Sequence, residues 1–129
     1  MAEKKRYIQL KDLEVYKHAR ELSRLGWEMY KSFDWQTKKV IGDQFITATD
    51  SVGANIAEGY SRYHYLDRIK FFYNSRGSLA EAADHWLAIL HERGKIDDKQ
   101  HEAFALIASR VSLKLQNFIN AIYKTKNSE

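Results

Sequence analysis

The stretch Asp50-Ser51-Val52-Gly53-Ala54-Asn55-Ile56-Ala57-Glu58-Gly59 carries two glycines inside a run with helical apolar spacing. Ile41, Phe45, Ala48, Val52, Asn55 and Gly59 recur every three or four residues through it, the period of one face of an α-helix. A glycine in a helix interior costs about 0.8–1 kcal/mol relative to alanine. Close approach of another helix backbone is the simplest offset. A matching small patch, Gly77-Ser78-Leu79-Ala80 followed by Ala82-Ala83, lies further along the chain. These two patches predict a pair of helices that nearly touch, through Gly53 and Gly59 on one and Gly77 and Ser78 on the other.

Outward from this pair, the same periodicity recurs. Tyr16, Ala19, Leu22, Gly26, Met29 and Phe33 form one stripe, and Phe104, Ile107, Val111, Leu115, Phe118 and Ile122 form another. The stripe of the third segment passes through Ile69, Phe72, Arg76, Leu79, Ala83, Trp86 and Leu90. The pattern predicts helices over about 10–33, 37–60, 66–93 and 98–124. Asp34 and Thr37 are candidate N-caps for the second helix. Gly94 can take the left-handed conformation that ends the third, and Asp97 with Gln100 reads as a capping box opening the fourth. Short connections make the joined helices antiparallel neighbours. Rods of similar length, ~35–40 Å at about 1.5 Å per residue, favour an elongated bundle. The expectation is all-α: one domain over residues 1–129, an antiparallel up-down-up-down four-helix bundle.

Composition narrows the function. Proline and cysteine are absent and there are six glycines among 129 residues. Without cysteine there is no disulfide, thiolate metal site or cysteine nucleophile. No run approaches the ~18 apolar residues of a membrane helix, and no apolar segment follows the charged start Met1-Ala2-Glu3-Lys4-Lys5-Arg6, as a signal peptide would require. A cytoplasmic protein without membrane partners is expected. Five histidines are present, yet Glu14 to His18 and Glu81 to His85 have i,i+4 spacing rather than the paired Glu-x-x-His of di-iron bundles, and His-Glu-x-x-His is absent. No glycine-rich phosphate loop and no Gly-x-Ser-x-Gly occurs. The expected protein therefore has no cofactor, no metal and no catalytic residue, and is not an enzyme.

Two groups of polar residues remain. Gln44, Asn55, Glu58, Arg76 and Glu81 lie in or beside the apolar stripes. A buried charge is costly unless paired, so Arg76 is expected to pair with Glu58 or Glu81, and Asn55 to bond across helices. Such a cluster is either a satisfied polar layer that fixes register or an interface, or the Glu/Arg site of a small enzyme or ligand-binding bundle. The second group is basic. The net charge is +4 and the pI about 9.2. Lys4, Lys5, Arg6 and Lys11 near the start join Arg110, Lys114, Lys124 and Lys126 in an acid-free stretch from Ala103 to Ser128. Both termini of an up-down bundle share one end, so these cations are candidates for holding RNA or DNA phosphates. The alternative is a solvated tail that complements the last helix dipole. Tyr60-Ser61-Arg62-Tyr63-His64-Tyr65 mixes aromatics with cations. It suits base stacking or a packed subunit interface. The tryptophans Trp27, Trp35 and Trp86 add aromatic surface that points toward an oligomer.

Asn55-Ile56-Ala57-Glu58-Gly59 with Arg62 resembles the signature of the four-helix bundle family of 23S rRNA-intervening sequence proteins. Asp12-Leu13-Glu14-Val15-Tyr16-Lys17, Asp43-Gln44, Ser51-Val52, Phe71-Phe72 and Gly77-Ser78-Leu79-Ala80-Glu81 extend the resemblance over most of the chain. The resemblance implies a left-handed up-down-up-down bundle, a homopentameric ring, a bacterial source and no enzymatic activity. Through a related branch, the accessory protein of diversity-generating retroelements, it implies a reverse transcriptase and nucleic acid as candidate partners of an oligomeric scaffold. The chain departs from the family pattern after Gln44, where Phe45-Ile46-Thr47-Ala48-Thr49-Asp50 carries no cation. It departs again at Asp34-Trp35-Gln36, where the family has a proline. The first departure weakens nucleic-acid binding along that helix face and leaves the termini and Arg62 as candidates.

Overall fold

The computed structural model describes residues 8–128, with side chains through residue 125. Four helical rods account for nearly all of them, and no strand occurs among the described residues. Helix α1 is Glu14–Lys31, preceded by a 3-10 turn at Leu10–Asp12. Helix α2 runs over 35–60: α-helical at Trp35–Thr37, π-helical at Lys38–Gly42, α-helical again at Asp43–Tyr60. Helix α3 runs over 65–92, with a π segment at Glu81–Trp86 between α-helical Tyr65–Ala80 and Leu87–Glu92. Helix α4 is Asp98–Ser128.

The contacts fix the topology. Gly26 lies against Thr49 and Gly53 against Ala19, so α1 and α2 are antiparallel. Ser75 meets Val52 and Phe72 meets Gly59, so α2 and α3 are antiparallel. Phe72 meets Phe118 and Arg76 meets Gln116, which sets α4 against α3. Helix α4 also packs on α1 and closes the square. The interior is built from Phe45, Phe72 and Phe104, all fully buried, with Phe45 and Phe104 in ring contact at 5.2 Å. Burying one such side chain stabilises by about 1.5–3 kcal/mol.

The caps follow their residue chemistry. Asp34 accepts from the Thr37 amide at 2.7 Å, so the second rod starts at Trp35 and Thr37 lies within it, buried. That bond favours the carboxylate and holds Asp34 below its usual pKa. Asp97 and Gln100 bond reciprocally at 2.7 and 3.0 Å. Gly94, at φ +69, ends α3: its amide and that of Lys95 donate to His91 and Leu90, the Schellman arrangement.

The ends differ from the periodicity in two places. The first rod opens at Glu14 rather than near Leu10, because Leu13 takes an extended conformation that buries its side chain. The last runs to Ser128. Its apolar pattern stops at Ile122, but polar residues continue a helix in water without needing a buried face.

The phase of α3 also shifts. A regular stripe puts Arg76, Ala83 and Trp86 inside; the residues buried there are Ser75, Ala82 and Leu87. The five-residue step from Ala82 to Leu87 is the span of the π-type bond from the Leu87 amide to the Ala82 carbonyl. A fixed 3.6 period does not anticipate such a bond.

Candidate functional site

The residues expected to form one polar layer lie apart. Arg76 is exposed, donates to Gln116 Oε1 at 2.9 Å and lies 4.6 Å over the Tyr73 ring. It pairs with neither expected glutamate. Glu58 binds Arg62 at the end of α2, and Glu81 accepts from the Trp86 indole at 2.8 Å. Asn55 donates to Ser51 O and Gln44 to Val40 O, each within its own helix. The buried crossing between α2 and α3 is made instead by Ser75, whose hydroxyl donates to Val52 O at 2.8 Å. Once the phase of α3 brings a serine inside, Arg76 stays in water and the cost of burying its charge never arises. Among the described residues no buried side-chain nitrogen or oxygen lacks a partner. The proposed Glu/Arg cluster of an enzyme is therefore not assembled.

The four small residues also separate. A Cβ on Gly59 would lie 2.8 Å from Phe72 Cε1 and 3.0 Å from Phe71 Cβ, so the α2–α3 seam closes there. Gly53 faces α1 instead: a Cβ there would lie 3.6 Å from the Ala19 Cβ. A Cβ on Gly77 would meet nothing within 4 Å, so the helix contact expected there is not made. Ser78 is half-buried, and the hydroxyl that reaches α2 is that of Ser75.

Of the cations, Lys4, Lys5 and Arg6 lie outside the described residues, as does the side chain of Lys126. Arg62 and Lys124 are exposed at the end shared by the α2–α3 turn and the last turns of α4. Arg110 does not join them: fourteen residues before Lys124, it stands roughly 21 Å down the rod. Lys114 is half-buried, in a recess on the α1 side that it shares with Asp12 and Glu14. The single terminal cluster thus loses two members to the length of α4 and the carboxylates beside α1.

Sequence reasoning missed two grooves, because neither has a motif. One lies between α1 and α2, about 660 Å³, floored by Ser23, Gly53, Ala54 and Ala57 and walled by Tyr16 and Trp27. Trp27 is 50% exposed and stacks on Tyr30. The Tyr30 hydroxyl donates to Asp43 at 2.6 Å, which raises the Tyr30 pKa; desolvation adds to it. The other groove lies between α3 and α4, about 620 Å³, floored by Ala80, Ala83, Ala105 and Ala108, with Arg76 and Asp84 on its lining. Leu113, 64% exposed, lines it, and Leu106, 55% exposed, stands two turns back on α4. The two grooves occupy opposite sides of the square. The signal available in the sequence was the pair Leu106 and Leu113, seven residues apart and off the core stripe.

Among the described residues no group of three or more histidine or carboxylate side chains is placed to hold a metal. His91 and His101 stack at 4.4 Å, and His91 meets Asp98 at 2.6 Å. No helix is long and apolar enough to cross a membrane among these residues.

Residues 11–117 match the family described as 23S rRNA-intervening sequence protein. The fold is similar to the crystal structure of a protein of unknown function from the S23 ribosomal protein family of Bacteroides thetaiotaomicron. The TM-score is 0.76 at 22% identity, over 82% of this chain and 95% of that one. No curated protein is significantly similar to the chain.

Proposed function

The chain belongs to the 23S rRNA-intervening sequence protein family, and from that premise we propose that it is a non-enzymatic scaffold built by head-to-tail association of its own copies. The observation that carries this reading is the pair of unlike grooves on opposite sides of one bundle. A self-complementary face would give a two-fold dimer; two different faces on opposite sides give a heterologous contact, which closes into a ring when the rotation allows. Shape supports the pairing. The Leu106 and Leu113 ridge of one copy suits the glycine- and alanine-floored trough of the next, beside Trp27 and Tyr16.

The trough carries Arg20 and Arg24 with Glu28 and Asp50, and of these carboxylates Asp50 is the partner proposed for Arg76. The Ser75–Val52 bond sets Asp50 and Arg76 at nearly the same height on opposite sides of the bundle. A neighbour rotated about an axis parallel to the rods brings Arg76 against Asp50. Arg76 is already held by Gln116 and Tyr73, so little side-chain freedom is lost on contact. The closed form proposed is the five-copy ring that the sequence resemblance implies. Catalysis has no assembled group of residues behind it, and the scaffold reading assigns none.

Sedimentation velocity and native mass spectrometry at micromolar concentration test the assembly. The expected species is a multiple of the protomer mass. Arg76→Asp shifts it to monomer with helicity unchanged, and Asp50→Arg combined with Arg76→Asp restores it. A wild-type monomer at that concentration overturns the reading.

A further inference from the structure

Tyr63, in the turn between α2 and α3, is 86% exposed, and Leu66 beside it 67%. The Tyr63 ring meets His64 edge-on at 5.2 Å, which leaves a flat face toward solvent. Around it stand cations in defined positions. Arg62 lies 4.9 Å over the Phe71 ring and is tied to Glu58, and Arg68 donates from Nε to the Arg62 carbonyl. Tyr63, His64, Tyr65 and Arg68 line a recess of about 440 Å³. Lys70 and Lys124 are exposed at the same end. Of the nearby carboxylates, Glu58 is already engaged by Arg62, and Asp67 is exposed. A turn that only joined two helices would gain nothing by holding an aromatic ring in water beside braced guanidinium groups.

We infer that this turn is a binding site for single-stranded nucleic acid, with Tyr63 stacking on a base and Arg68, braced through Nε on the Arg62 carbonyl, facing the phosphates. An open aromatic face flanked by cations is the combination that holds unpaired bases irrespective of sequence. A duplex keeps its bases stacked inside and offers Tyr63 nothing to stack on. The local site stands without the assembly, but its strength rests on the head-to-tail reading above. In a closed ring every copy points the same way along the axis, so the Tyr63 turns repeat around one rim. One strand crossing several of them gains avidity without new contacts.

Fluorescence anisotropy with labelled single strands of uridylate and thymidylate, and with a duplex of equal length, tests the site. Both single strands are expected to bind in preference to the duplex, with affinity falling steeply as salt rises. Tyr63→Ala weakens single-strand binding roughly tenfold and leaves the salt slope unchanged, whereas Tyr63→Phe keeps the stacking face and retains binding. Arg68→Gln lowers the salt slope by about 0.7, one phosphate contact on a single strand. The monomeric Arg76→Asp variant binds more weakly but still depends on Tyr63. No binding at low salt, or single-strand binding indifferent to Tyr63→Ala, overturns the site and leaves the assembly standing. Uridylate binding without thymidylate binding narrows the ligand to RNA and keeps the site.

Discussion

The seam between α2 and α3 and the seam between α3 and α4 are both lined with small residues, yet one is shut and the other open. Between α2 and α3, Gly59 lets Phe72 and Phe71 come so close that a single added carbon would collide with both. The Ser75 hydroxyl then crosses to the Val52 carbonyl. Between α3 and α4, Ala80, Ala83, Ala105 and Ala108 floor a groove of about 620 Å³. Long side chains span the open seam: Arg76 reaches Gln116, and the Tyr73 and Tyr123 hydroxyls meet at 3.2 Å. These bridges act as struts. Small residues draw two backbones together only where no longer pair sets the distance; elsewhere they leave a floor for another molecule.

The largest effect is expected where the shut seam is tightest. Gly59 lies in the last turn of α2, so Gly59→Ala gains at most the about 0.8–1 kcal/mol that alanine gains over glycine in a helix interior. The new methyl must displace Phe72, which is fully buried, or the Phe71 Cβ, which is fixed to the backbone. Overpacking of this kind costs about 1–3 kcal/mol, so the net change is destabilising. A lower urea midpoint with unchanged slope, at fixed protomer concentration, is the expected result. An unchanged or raised midpoint breaks the contrast, for it would mean that the shut seam has room to spare.

This contrast marks where the sequence was legible and where it was not. The caps at Asp34, Gly94 and Asp97 were readable because each depends on one or two local residues. The four rods were readable from periodicity. Gly59 does lie at the α2–α3 seam, as its small size suggests, whereas Gly53 turns to α1 and Gly77 to open space. On α3 the buried face passes through Ser75 rather than Arg76, and only beyond it does the π bond from Leu87 to Ala82 shift the face again. Arg76 is thereby left out of the expected polar layer, on the rim of a groove. The exposed Tyr63 turn was legible as a mixture of aromatics and cations, but its open ring face depends on how the turn folds. The grooves depend on side chains from two helices at once, which no single stretch of sequence displays.

A smaller effect of opposite sign follows from Gly77. It sits mid-helix, and a Cβ added there would meet nothing within 4 Å. Alanine at this position gains helix propensity at no packing cost, so Gly77→Ala should raise stability by about 0.8–1 kcal/mol. Paired with Gly59→Ala, it applies the same substitution to two helical glycines and expects opposite shifts in the urea midpoint. A loss of stability at Gly77 would show that this face of α3 is covered in solution, and would move the assembly contact toward it.

The smallest effect lies in the open seam, and pH reaches it without changing a residue. The hydrogen bond from Tyr73 raises the Tyr123 pKa above its ordinary 10.0, with desolvation and the Tyr73 charge adding to it and Arg76 opposing. A folded-state pKa above the unfolded one means that the neutral pair contributes fully below the unfolded value. That contribution is lost as pH rises through the folded value. Tyr30, raised by Asp43, shifts in the same direction, so alkaline destabilisation of the wild type cannot be assigned to one tyrosine. The difference between wild type and Tyr123→Phe isolates the strut. That difference should favour the wild type near pH ~9 and shrink toward pH ~11.5, the range over which tyrosines ionise. The shut seam, held by Ser75 and Gly59, has no group titrating there and provides the internal control: Gly59→Ala should cost the same at both ends of the range. If the Tyr123→Phe difference stays constant with pH, the two hydroxyls do not brace the seam, and the Arg76–Gln116 bridge is left as its strut.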